Sequence, residues 1–302
     1  MGIRRIVARG MLVLLLSGAV GVAGCGGRKD GGEAKPPAPT YTADQAAAVR
    51  AQADGGDAGA QLKVGRMHAT GDGAPQDTTE AVLWYRKAAD QGLADAQFAL
   101  GEAYENGVGV EGSGKQAAVW YLKAARQGQV SAMKRLAYLR QQDSDPAAAR
   151  DWYEKAAEAG DAEAQSELGS LYLFGWEAGL TNFAEIKSEV PKNASRAAFW
   201  FEKAVEQGLC DKAYYLASLN HYGGMSDSPK DGRMKTDPLV AYKWAQVALK
   251  GLKPYPGGKE AFEDRSRKET MVSNLQNVLT SAQEAEGERQ ADAFLARVKC
   301  KD

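Results

Sequence analysis

Residues 77–92 read DTTEAVLWYRKAADQG and residues 113–128 read SGKQAAVWYLKAARQG. Both hold a tryptophan in one frame, Ala81-x-x-Trp84 and Ala117-x-x-Trp120. The frame returns as Ala149-x-x-Trp152, Ala197-x-x-Trp200 and Ala241-x-x-Trp244. Seven residues before each tryptophan stands Asp77, Ser113, Asp145, Asn193 or Asp237. All five are N-cap types, whose side-chain oxygen accepts a free N–H of the first helical turn. Pro146 and Pro238 follow two of them, at a position where a missing N–H costs nothing. Glu80 and Gln116 have the spacing of a capping box. Eight residues after the tryptophan comes Gly92, Gly128, Gly160 or Gly208, and in the fifth copy Gly251 comes one residue early. Glycine is common just past a helix end, where the chain turns with positive φ. Each copy therefore predicts a helix bounded at both ends.

A second helix is expected after each closing glycine. Four residues on stands Ala96, Ala132 or Ala164, and eight on stands Leu100, Leu136, Leu168 or Leu216. The same count from Gly56 gives Ala60 and Val64, while Lys212 breaks the alanine position in the fifth copy. A small residue and an aliphatic one at i+4 share a helical face. The small one lets a neighbouring helix approach and the large one fills the gap. The expected fold is thus all-α: an α-solenoid of five stacked helical hairpins with N- and C-terminal capping helices. The units fall at about 56–91, 92–127, 128–159, 160–207 and 208–251. Their unequal lengths belong in loops, because the helices must keep stacking. Thr42–Asp54 reads as half a hairpin over the first unit. The C-terminal cap, 252–302, reads as a helix around Glu260–Glu284 and another at about Glu286–Lys299 after Gly287, with Ala293, Phe294 and Val298 at helical spacing.

The stretches GLADAQFALGEAYENGVGV (92–110) and AAVWYLKAA (117–125) resemble the Sel-1-like repeat, a relative of the tetratricopeptide repeat. The third unit lacks the Gly-x-Gly loop, and in the fifth Ala245 follows Trp244 where an aromatic is expected. The resemblance implies a right-handed α-solenoid and protein–protein interaction, with no particular partner. Proteins similar to this one include immunity proteins that neutralise envelope-attacking toxins, such as phospholipase effectors of type VI secretion.

Arg4, Arg5 and Arg9 precede an apolar run from Met11 to Ala23. The run is too short to span a bilayer, which takes about 20 residues. A basic start and a short apolar run read as a secretory signal. The run ends Val22-Ala23-Gly24-Cys25, which resembles the bacterial lipobox. That resemblance implies cleavage after residue 24 and lipidation of Cys25. With Gly26 next and no aspartate, it implies the outer membrane on its periplasmic side. The alternative is an ordinary signal peptide with an incidental cysteine. Residues 25–40, rich in Gly, Pro and charge, read as a flexible tether, leaving 41–302 as the solenoid.

Formal net charge is −1 over the whole chain. There is no basic stripe, so nucleic acid is not expected, and the membrane is approached through the lipid anchor only. Cys210 and Cys300 remain as a pair. In the oxidising periplasm they form either a disulfide or two buried thiols.

Several motifs mimic chemistry. Gly109–Lys115 resembles a phosphate loop, but Gln116 stands where a magnesium-binding Ser or Thr belongs and no strand precedes it. Ser131-x-x-Lys134 matches a serine β-lactamase core without its companion motifs. His68 and His221 are the only histidines and lie far apart, so no metal site is expected. No catalytic set and no cofactor are expected. An envelope enzyme acting on cell-wall material and a structural spacer or envelope-assembly adaptor are the competing classes.

In tetratricopeptide-like arrays the first helix of each hairpin lines the concave face. Positions two before and two after the consensus leucine give Leu62 and Arg66, Phe98 and Glu102, Lys134 and Tyr138, Ser166 and Ser170, and Tyr214 and Ser218. Phe98, Glu102, Tyr138 and Tyr214 are candidate contacts for a protein partner, either a toxin or an envelope complex. The aromatics pack against the next unit in the alternative reading. Trp176 is the tryptophan out of frame, in the expansion of the fourth unit at about 174–191. It is either a partner contact or a plug that folds its loop back onto the solenoid.

Overall fold

Only helices, turns and loops occur among the residues described by the computed structural model, 41–143, 145–175, 192–223, 235–251 and 259–301. The helices are α1 Ala43–Asp54, α2 Ala58–Thr70, α3 Thr78–Asp90, α4 Ala94–Asn106, α5 Gly114–Arg126, α6 Val130–Gln142, α7 Pro146–Glu158, α8 Ala162–Phe174, α9 Ala194–Glu206, α10 Ala213–Tyr222, α11 Pro238–Lys250, α12 Lys259–Gln276 and α13 Ser281–Arg297. Each helix from α1 to α11 packs on the next, and α12 and α13 both pack on α11. The result is an α-solenoid of five hairpins, α2–α3 to α10–α11, with α1 covering one end and α12–α13 the other.

The helix starts follow from local chemistry. Asp77, Ser113, Asp145, Asn193 and Asp237 each accept a first-turn N–H. Gly92, Gly128, Gly160 and Gly208 take positive φ two residues past the last helical residue. Gly251 does not: its φ is −73°. A Cβ there would lie 2.9 Å from the Cys300 sulfur and 3.0 Å from the Cys210 Cβ, so glycine serves close approach instead. The expected capping boxes at Glu80 and Gln116 are also half-made. The Glu80 carboxylate turns away and accepts the Trp84 indole N–H at 3.0 Å. Complete boxes form at Thr42 with Gln45 and at Thr280 with Gln283. The second moves the break in the C-terminal cap to residues 277–280. Gly287 lies inside α13, where a Cβ would stand 2.7 Å from the Tyr242 ring.

In the first, second and fourth hairpins the residue after the tryptophan lies against a glycine of the first helix. A Cβ on Gly65 or Gly101 would come within 2.5 Å of Tyr85 or Tyr121, and one on Gly169 within 2.8 Å of Phe201. In the fifth unit the aromatic shrinks to Ala245 and the glycine gives way to Ala217, and both are buried. Trp84, Trp120, Trp200 and Trp244 are buried and Trp152 is half-buried. Lys87, Lys123 and Lys155 lie over the first three indoles in frame, at 3.7, 3.7 and 4.2 Å. These pairings join hydrophobic burial to cation–π attraction.

A chain of buried amides runs between units. Gln61, Gln97 and Gln165 donate to the carbonyls of Ala53, Ala89 and Ala157 in the preceding helix. Each accepts in turn from the glutamine ending the following helix, Gln91, Gln127 or Gln207, at 2.8 Å. The third unit has Met133 and Ala159 at these two places, so donor and acceptor are lost together.

Cys210 and Cys300 are joined by a disulfide with Cα atoms 5.4 Å apart. Cys210 lies in a 3-10 turn, Cys210–Lys212, that displaces the start of α10 and explains the broken alanine position. Lys301 donates its backbone N–H to the Gly208 carbonyl at 2.7 Å. The chain end is thus fastened to the entry of the fifth unit.

Candidate functional site

The first helices of successive hairpins stand side by side, so their outward residues form one surface. Between α4, α6 and α8 it sinks into a groove of about 620 Å³. Phe98 and Glu102 of α4 form one side, and Ser131, Lys134, Arg135 and Tyr138 come from α6. Glu163 and Glu167 of α8 form the other side, and Tyr153 of α7 lies at the base. Three of the expected contacts, Phe98, Glu102 and Tyr138, are therefore brought together. The Phe98 ring centre is 5.6 Å from that of Tyr121, on the second helix of its own hairpin, and Phe98 also lines the groove. Tyr138 is 45% exposed.

Other positions expected to face outward lie elsewhere. Leu62 and Ser166 are buried, because their helix faces turn into the stack. Tyr214 is half-buried, packs on the core and meets Tyr215 edge-on at 6.0 Å. It does not line the groove. Trp176 and Cys25 lie outside the described residues.

Electrostatics divides the groove lining. Lys134 is held by Asp161 and Glu163. Burial alone would lower its pKa, but these carboxylates raise it above the usual lysine value. Arg135 lies 3.9 Å from Glu105, whose other oxygen accepts from the Tyr121 hydroxyl at 2.6 Å. Among the described residues Glu102 and Glu167 have no cation at ion-pair distance. Burial raises the Glu102 carboxyl, with Arg135 opposing and Glu105 adding. Glu167 is raised by loss of solvent in the groove, opposed by Lys212 and helped by Glu163. Glu167, Arg135 and Tyr153 were missed from the sequence, although Glu167 stands one residue before the consensus Leu168.

The phosphate-loop look-alike is also accounted for by packing. Gly107 and Gly109 have φ of 65° and 70°, and a Cβ on Gly109 would lie 2.1 Å from the Thr78 carbonyl oxygen. The loop is glycine-rich because it crosses the start of α3. Among the described residues no group of His, Cys, Asp and Glu is arranged to hold a metal ion.

Residues 58–93, 94–129, 130–161, 162–184 and 186–209 match the Sel1 repeat, together half of the chain. The chain belongs to the Sel1 repeat family. Proteins of this family are protein-interaction scaffolds. The matched units begin at the starts of α2, α4, α6 and α8 and end before the α10–α11 hairpin. Among solved structures, a protective antigen of uropathogenic Escherichia coli with the same repeat fold is 26% identical, with a TM-score of 0.63. The match covers 85% of this chain and 49% of the antigen, so the chain spans about half its length. A Sel1 repeat protein from Oxalobacter formigenes is 23% identical over 77% of this chain and 99% of its own, with a TM-score of 0.49. An immunity protein from Pseudomonas aeruginosa is 17% identical over 80% and 76%, with a TM-score of 0.38. No curated protein sequence matches significantly.

Proposed function

We propose that this Sel1-repeat chain is a lipid-anchored periplasmic scaffold that grips a protein partner in the groove between α4, α6 and α8. The observation that carries the reading is the groove itself, where Phe98 and Tyr138 stand beside ionisable groups on a surface built by three units. Exposed aromatics with polar neighbours are the composition of interface centres. The anchor rests on Val22-Ala23-Gly24-Cys25 and its basic, apolar lead-in. Cys25 carries the lipid and the protein faces the periplasm from the outer membrane.

Inhibition of an envelope-attacking toxin is one specific form of this function, since an inhibitor tethered there would meet such a toxin where it acts. An assembly adaptor is the other form. A photo-crosslinking residue at Tyr138, in cells making the full chain, is the test. One stoichiometric protein product, lost when Phe98→Ala is added, supports the groove. Its identity as a secreted effector or an envelope subunit separates the two forms. Absence of any Phe98-dependent product overturns the reading. Intact-mass analysis of the mature chain tests the anchor, which falls if Cys25 is retained unmodified.

A further inference from the structure

The charges around the groove do not cancel. The carboxylates Glu102, Glu163 and Glu167 line it with two cations, Lys134 and Arg135. Lys134 is held by two carboxylates, and Arg135 lies beside a Glu105 that Tyr121 already satisfies. The unsatisfied carboxylates are Glu102 on α4 and Glu167 on α8. In the stacking order α6 stands between them and contributes the exposed Tyr138. Lys212, the next cation toward Glu167, is bonded to Asp211 at 2.9 Å.

A partner's cation answers each part of this arrangement. Its charge would pair with carboxylates that Arg135 and Lys212 approach without reaching ion-pair distance. Its aliphatic stem and charged head suit an aromatic wall, through packing and cation–π attraction. An acidic segment would meet like charge at Glu102 and Glu167, and would find Lys134 already occupied. We propose that the groove takes a segment of a partner protein that presents lysine or arginine to Glu102 and Glu167, its stem lying against Phe98 and Tyr138. The proposal rests on the groove reading above and names the chemistry of its occupant.

The test uses the full chain in detergent and a displayed library of random twelve-residue peptides. Selection is run on the wild type, on Phe98→Ala and on the isosteric double variant Glu102→Gln/Glu167→Gln. Thermal melts confirm that the variants fold. The expected result is enrichment of Lys and Arg over Asp and Glu in the wild-type pool, lost in both variants. A synthetic peptide from that pool should bind the double variant about tenfold more weakly or worse, and the difference should shrink with added salt. Enriched peptides that are neutral or acidic, yet depend on Phe98, would overturn the basic partner and leave the groove standing. A pool without any Phe98 dependence would overturn both.

Discussion

Gln127, at the end of α5, donates its side-chain amide to Gln97 of α4 at 2.8 Å, while Gln97 donates to the Ala89 carbonyl at the end of α3. One buried amide thereby ties together three successive helices. A buried donor or acceptor left without a partner costs about 1–3 kcal/mol. Gln97→Leu takes away the acceptor of the Gln127 amide, while the Ala89 carbonyl keeps the Gly92 N–H at 3.0 Å. It should lower the stability read from denaturant unfolding by about 1 kcal/mol, the net worth of a hydrogen bond. Gln127→Leu should cost less, because its side chain reaches the surface. In a double-variant cycle the two effects should fall short of additive; full additivity would disprove the link.

Gly101 and Tyr121 supply a second test. Gly101→Ala drives a methyl into the Tyr121 ring and should cost about 1–3 kcal/mol, as overpacking does. Gly114→Ala, at the first residue of α5, meets nothing within 4 Å. It should be neutral or stabilising, since alanine is the better helix former. Equal midpoint shifts for the two would refute the close-approach argument.

The disulfide closes a loop of 90 residues. Chain entropy alone assigns such a closure about 4–5 kcal/mol, from which any native strain subtracts. Reduction, or Cys210→Ser with Cys300→Ser, should lower the unfolding midpoint. It should also speed hydrogen exchange at Lys301, whose N–H bonds to Gly208. An unchanged midpoint in dithiothreitol, with two thiols titrated, would rule out a stabilising bond.

Glu102 and Glu167 carry a pH signature. Both carboxyls are raised above the usual value by loss of solvent, so the folded state favours the protonated form. For a raised group the stabilising contribution is full below the unfolded pKa and is lost as pH rises through the folded pKa. At neutral pH, Glu102→Gln and Glu167→Gln should therefore each raise the thermal midpoint, and the gain should vanish below about pH 4. A basic peptide favours the ionised carboxylates, so its affinity should rise over the same interval in which stability falls. Gains that persist at low pH would show that the charges are not their source.

The helix starts were legible because their causes are local. Asp77, Ser113, Asp145, Asn193 and Asp237 each bond within three residues, and the tryptophan frame repeats the same short-range pattern. Stacking then follows from apolar faces that no single hairpin can cover. What the local pattern could not carry is contact between residues far apart in the chain. Whether Tyr214 joins Phe98 depends on how α10 turns after its 3-10 entry, and that turn is set by Cys210 and its distant partner. Gly251 and Gly287 look like helix stops because glycine favours both turns and close approach, and only the neighbouring sulfur or ring tells which. Glu167 looks like any surface acid until three helices bring it, Glu102 and Tyr138 around one groove. The local sequence determined the helices and their period. Tertiary packing decided the groove, the amide chain between units and the clasp at the chain end, because each depends on distances that hold only once the hairpins are stacked.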